Sequence, residues 1–185
     1  CFASAGATKR LYEPSFDDLK RVLEKMASIK PNPPFAIQFS GGEPTLREDL
    51  PELINLAKDL GILQIQIATN GKRFSKDPEY IKKLVKSGIN TYYLQFDGLN
   101  PSSYEKFRGY DTFPEKKKAI ENLRSLGETS VVLVPTVSKG VNEEELGEII
   151  YFGRDNFDVV RGINFQPISF SGRSTAEEIK NYRIT

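Results

Sequence analysis

The chain has 185 residues, 38% of them hydrophobic and 28% charged, a composition suited to one globular domain. Its net charge of +1 lacks the basic excess of a nucleic-acid binder, so no nucleic acid is expected as a partner. One cysteine and no histidine exclude an internal disulfide framework, Ser-His-Asp triads, other His-based acid–base chemistry and nearly every zinc-hydrolase site.

In chain order, Cys1 to Gly6 reads as the middle of something, so the sequence is expected to be a piece of a longer protein. Ser15 opens the first helix: Phe16, Leu19, Val22, Leu23 and Met26 form an apolar stripe, and Asp18 completes a capping box. The Pro-rich stretch 30–34 is a stiff connection into a first strand at 35–39. Further strands are expected at 64–68, 91–96, 131–136 and 162–167, with starts about thirty residues apart, the length of one βαβ unit. The 131–134 run is apolar on both faces, as in a fully buried parallel strand.

Asp77-Pro78 starts a helix that Gly88 ends, and Gly127 stops one containing Ala119, Ile120, Leu123 and Leu126. Asn142 and Glu143–Glu145 place a cap and negative charge at the start of a helix burying Leu146, Ile149, Ile150 and Phe152. The charge runs at 116–118 and Glu143–Glu145 are read as solvated helix faces or ends. A last helix begins after Arg173, so 174–185 would open a following region of the one domain spanning 1–185.

Strand–helix alternation implies a parallel sheet. Five strands fall short of an eight-stranded barrel, which takes about 250 residues. The expected fold class is therefore α/β, a partial (β/α)6-type TIM-like barrel with its first strand missing. A doubly wound sheet is the alternative, although no Gly-x-Gly-x-x-Gly follows any strand.

Ligands in such folds sit at the C-terminal strand ends. There the sequence offers Ser40-Gly41-Gly42-Glu43-Pro44, Thr69-Asn70-Gly71, Gln95-Phe96-Asp97-Gly98, the stretch from Pro135 through Thr136 and Val137 to Gly140, and Gln166-Pro167 with 169–173. All would converge on one rim. The Gly41-Gly42 pair lets backbone carbonyls face a ligand, and beside Glu43 they would attract an ammonium group. A tight turn with a solvated glutamate explains the same residues. Asp97 is suited to ribose hydroxyls or to a simple turn, and Asn70-Gly71 shares that ambiguity.

Cys1-Phe2-Ala3, a helix, a strand, then Gly41-Gly42-Glu43-Pro44 resemble, in that order, the core of the radical S-adenosylmethionine (SAM) superfamily, over nearly the whole chain. The resemblance implies that Cys1 is the third cysteine ligand of a [4Fe–4S] cluster. It further implies that Gly41, Gly42 and Glu43 hold the SAM amino group, and that Thr69, Asn70 and Asp97 face its methionyl or ribose part. Arg108 would pair with the SAM carboxylate. Val137 and Val141 match an adenine-contacting stretch, with Asn142 its polar edge or a helix cap. Ser40, Gln95, Thr136 and Gln166 join the set as polar strand-end positions.

The implied chemistry is reductive cleavage of SAM to a 5′-deoxyadenosyl radical that abstracts hydrogen, with ferredoxin or flavodoxin as electron donor. Tyr93 to Gly98, Val134 to Val137, Asn164 to Pro167 and Ser171-Gly172-Arg173 resemble an archaeal group containing tetraether lipid synthases and class D pterin methylases. Radical carbon–carbon coupling of membrane lipid tails is placed ahead of pterin C-methylation. Further iron–sulfur or mononuclear iron centres would belong to the parent protein, which is expected in the cytoplasm or peripheral to the membrane. Two other classes fit the residues: a silent βα domain binding a partner or nucleotide, and a barrel enzyme using Glu43 and Asp97 as acid and base.

Overall fold

The structure is a computed structural model, and it describes residues 12–127, 129–170 and 174–184. Among these, helix α1 (Phe16–Ala27) starts as its sequence demands. Ser15 Oγ accepts from the Asp18 amide at 3.2 Å and the Asp18 carboxylate accepts from the Ser15 amide at 3.1 Å.

Strands β1 (Ala36–Phe39), β2 (Gln64–Thr69), β3 (Thr91–Gln95), β4 (Ser130–Val134) and β6 (Val160–Ile163) form one sheet in the order β1-β2-β3-β4-β6, every pair parallel. A doubly wound sheet reverses its order at a switch point. This one advances in a single direction, as a barrel wall does, so the expected partial TIM-like architecture is the one observed. Helices α2 (Leu50–Asp59), α3 (Lys72–Lys76), α4 (Pro78–Ser87), α5 (Pro101–Arg108), α6 (Phe113–Ser125) and α7 (Leu146–Asp155) fill the crossovers. Asp77 caps α4 through the Tyr80 amide at 3.0 Å, and Gly88 ends it.

Two expected strands are split. Pro135 has no amide to donate, so β4 stops at Val134, and β5 (Thr136–Val137) pairs instead with β7 (Gln166–Pro167) in a separate two-stranded parallel sheet. Hydrogen bonds from Gln166 N to Pro135 O and from Ile168 N to Val137 O, both 2.8 Å, join the two strands of this small sheet.

Side chains alternate along each main strand. Ile65, Ile67, Tyr92, Leu94, Val131 and Leu133 are buried against the helices. Gln66, Ala68, Tyr93, Gln95, Val132 and Val134 are only half-buried on the other side. The 131–134 run is therefore not enclosed on both faces, because an open barrel leaves its concave side as a cleft.

Lys117, Lys118 and Glu144 are exposed as the solvated reading expects, but one residue of each charge run departs from it. Lys116 is 1% exposed and Glu145 7% exposed, each on the inward stripe of its helical segment. Asn142 makes no capping bond to the 3-10 turn Glu143–Glu145, and its side chain ties two strand ends together instead. Helix α8 (Ala176–Tyr182) returns to the same rim, where the Tyr182 carbonyl accepts from Ser138 Oγ and Lys139 N, both at 3.1 Å. No helix among the described residues is long and apolar enough to cross a membrane.

Candidate functional site

The C-terminal strand ends enclose an open cleft of about 950 Å³. Ser40, Gly41, Gly42, Glu43, Thr69, Asn70, Gln95, Arg108, Thr136 and Gln166, ten of the positions singled out in the sequence, line it together. Asp97, Val137 and Asn142 lie behind the wall, buried to 0%, 4% and 1% exposure. Cys1 lies outside the described residues, as do 171–173. Among the described residues no group of three or more Cys, Asp or Glu side chains is arranged to hold a metal ion.

Glu43 is fixed from the strands around it. Pro44 follows it into the 3-10 turn Pro44–Leu46. Its Oε1 accepts from Thr45 N at 3.2 Å, Thr45 Oγ1 at 2.6 Å and Thr69 Oγ1 at 2.7 Å. Among the described residues its Oε2 accepts only from Asn70 N, at 2.8 Å, and keeps acceptor capacity for the cleft. Thr69 thus spends its hydroxyl on Glu43, and that same oxygen accepts from Gly71 N at 3.1 Å. Arg73 donates to the Thr45 carbonyl and stacks 3.5 Å from the Tyr80 ring, anchoring the turn from outside. At Gly41 and Gly42 a Cβ would meet nothing within 4 Å, so the paired glycines leave an open backbone edge beside Glu43.

Across the cleft stands Arg108, its side chain about a third exposed. Nε and Nη2 form a fork on the Asp97 carboxylate at 2.7 and 3.0 Å. Nη2 also lies 3.4 Å from Thr136 Oγ1, and Nη1 has no partner among the described residues. Asp97 further accepts from Thr136 N at 3.3 Å and from the Gln95 side-chain amide. Its carboxylate is consequently the holder of Arg108, turned away from the opening. Asn142 completes the wall: its amide donates to Asp97 O at 2.6 Å and Thr136 O at 2.7 Å, and its Oδ1 accepts from Ser138 N at 3.0 Å.

The cleft therefore offers a carboxylate oxygen and free backbone at one end and a guanidinium edge at the other. Apolar walls come from Phe107, Val134, Val141, Ile168 and Phe170. Val141 lines it, whereas Val137 packs behind. Lys106 enters from α5 with its Nζ 4.8 Å from the Tyr182 ring. An amine-and-carboxylate ligand with a bulky apolar or aromatic remainder suits this distribution.

Comparison with known proteins identifies the family and the fold. A family model described as the Radical SAM superfamily matches residues 1–152. A curated 7,8-dihydro-6-hydroxymethylpterin dimethyltransferase of Methanocaldococcus jannaschii is 52% identical over all 185 residues, which span 36% of that protein. A probable GTP 3′,8-cyclase of Methanococcus maripaludis is 40% identical over 148 residues, 80% of this chain and 46% of that one. The chain thus spans less than half the length of these relatives. Among solved structures, Streptococcus suis SuiB bound to S-adenosylmethionine superposes with a TM-score of 0.71 at 21% identity, covering 89% of this chain and 36% of that one. At that identity the likeness is one of fold.

Proposed function

The chain belongs to the radical SAM superfamily, and on that premise we propose that it is the SAM-binding core of an enzyme that methylates carbon on a reduced pterin. The supporting observation is the 52% identity to a pterin dimethyltransferase along the entire chain. The lipid-coupling reading, placed first on sequence alone, gives way to the pterin alternative on this ground. A second relative, named for a reaction of GTP, likewise takes a fused nitrogen heterocycle.

The residues present fit SAM. Glu43 and the open backbone at Gly41 and Gly42 would hold the amino group, and Arg108, itself held by Asp97, would hold the carboxylate. Val134 and Val141 would give the adenosine an apolar wall. Cys1 would contribute one thiolate to the [4Fe–4S] cluster. When bound, cluster and SAM supply an electron and a 5′-deoxyadenosyl radical. This chain's own part would be to hold the amino and carboxylate groups, which branch from one carbon, and so to orient the rest of SAM along the cleft.

The test uses the full-length protein, reconstituted with iron and sulfide without oxygen and given reduced flavodoxin, 7,8-dihydro-6-hydroxymethylpterin, SAM as the radical source, and a one-carbon donor for the methyl group, supplied in separate arms as further SAM or as a methylene-carrying reduced pterin. Mass spectrometry should find 5′-deoxyadenosine together with pterin carrying one or two added methyl groups. Cluster-loaded protein that makes no 5′-deoxyadenosine, or that couples an archaeal lipid and leaves the pterin untouched, would overturn the proposal.

A further inference from the structure

Lys116 is a charged side chain at a position built for an apolar one. On α6 it shares a face with Ala119, Ile120 and Leu123, all within 2% of full burial, and it is itself 1% exposed. A methionine would fill the same space with no charge to desolvate. Burial pushes the Lys116 ammonium down to about 8, with attraction from Asp97 opposing and Arg108 adding to the effect.

The ammonium spans the two halves of the cleft wall. It donates to the Asn70 carbonyl at the end of β2 and reaches Gln95 Oε1, at the end of β3, at 3.5 Å. Asn70 in turn donates its amide to Glu43, and Gln95 passes its amide to Asp97, which holds Arg108. An amide side chain can face either way, but a cation on one side and a carboxylate on the other leave one orientation for Gln95. Asp97, Arg108, Glu115 and Lys72 are the charged groups around this ammonium, and Lys106 and Glu178 line the same cleft. Removing the Lys116 cation takes one attractive partner from Asp97 and makes the wall less favourable to a ligand carboxylate.

We propose that Lys116 is a positioning residue that ties the Glu43 end of the cleft to its Arg108 end, so that amine and carboxylate of one amino-acid group are recognised together. It rests on the cleft's being the SAM site, and SAM is its probe. Lys116 touches no ligand and acts through Asn70 and Gln95.

The experiment measures Kd for SAM and for 5′-methylthioadenosine on full-length, cluster-loaded protein under anaerobic conditions. The second probe keeps the adenosine and sulfur but lacks the amino-acid group. Lys116→Met should weaken SAM by about 10- to 100-fold while changing 5′-methylthioadenosine by less than about threefold. Lys116→Gln, uncharged but still a donor, replaces it where the methionine variant does not fold and is read the same way. Equal loss for both probes, as misfolding or general loosening would give, overturns the inference, and so does unchanged SAM affinity. Wild-type protein that binds neither probe refutes the SAM reading of the cleft itself, a different result from either.

Discussion

Gly98 lies directly beneath the Glu145 carboxylate: a Cβ built on it would stand 2.5 Å from Oε2. That carboxylate cannot step aside freely. It accepts from Leu99 N at 2.7 Å, Asn100 N at 3.1 Å and the Ser103 hydroxyl, serving as a remote cap for the start of α5. Gly98→Ala should therefore cost about 1–3 kcal/mol, from crowding plus the loss of the cap bonds. Urea midpoints measure it, and in a Glu145→Ala background the added cost should largely vanish. A full cost in both backgrounds would place the penalty elsewhere.

The start of α3 depends on Gly71 for two reasons. Its φ is +76°, a left-handed conformation, and a Cβ would sit 2.5 Å from Leu94 Cδ1. Leu94 is fully buried on β3 and has nowhere to retreat. Gly71→Ala should destabilise the fold by about 2–4 kcal/mol, combining backbone strain with overpacking. Thermal and urea unfolding read this directly; a loss under about 1 kcal/mol would show that the turn relaxes.

Much of this architecture is legible in the sequence because local chemistry and final environment agree. Ser15 with Asp18, and Asp77 with Pro78 and Gly88, announce helix ends that the fold then uses. The strand-end polar residues converge because parallel strands all finish on one rim. What escapes is long-range pairing. Arg108 and Asp97 are eleven residues apart and both read as ligand contacts; their mutual fork appears only once α5 folds back over β3. Lys116 and Glu145 were hidden by their neighbours, since a run of like charges suggests solvent. Their spacing held the better signal: 116, 119, 120 and 123 form one helical stripe, and 145 lies one turn before the buried Ile149. The break at Pro135 was equally present, for a proline inside an expected central strand argues against its continuity.

Thr69 should act through Glu43. Its hydroxyl donates to Glu43 Oε1 and accepts from Gly71 N, at 5% exposure. Thr69→Val keeps the shape but orphans the buried Gly71 amide and frees one side of the carboxylate. The expected cost is about 1–3 kcal/mol in folding. On the proposed reading, SAM affinity should also fall severalfold, because Glu43 Oε2 loses its fixed aim. Isothermal calorimetry on the cluster-loaded protein decides the second part. Unchanged affinity would mean that Thr45 and Asn70 suffice to hold the carboxylate.

Lys116 also sets a pH dependence whose sign follows from its burial. The ordinary ammonium value of 10.5 is lowered to about 8 in the fold by desolvation, with Asp97, Arg108, Glu115 and Lys72 as the charged groups around it. Below about pH 8 both folded and unfolded chains carry the proton, and the cost of the buried cation is constant. Between 8 and 10.5 the unfolded chain binds more protons than the folded one, so stability rises with pH. The buried tyrosines oppose this at higher pH: Tyr80 is pushed up to about 12 by burial, and Tyr92 and Tyr104 are raised as well, so the unfolded chain ionises first above pH 10 and stability falls. The useful window is therefore about pH 8 to 10, where the Lys116 contribution amounts to about 2–3 kcal/mol. Urea unfolding of wild type and Lys116→Met across that window isolates it, because the tyrosines are common to both. The stability of wild type relative to the variant should climb by that amount, and parallel curves would show that Lys116 titrates as an ordinary lysine.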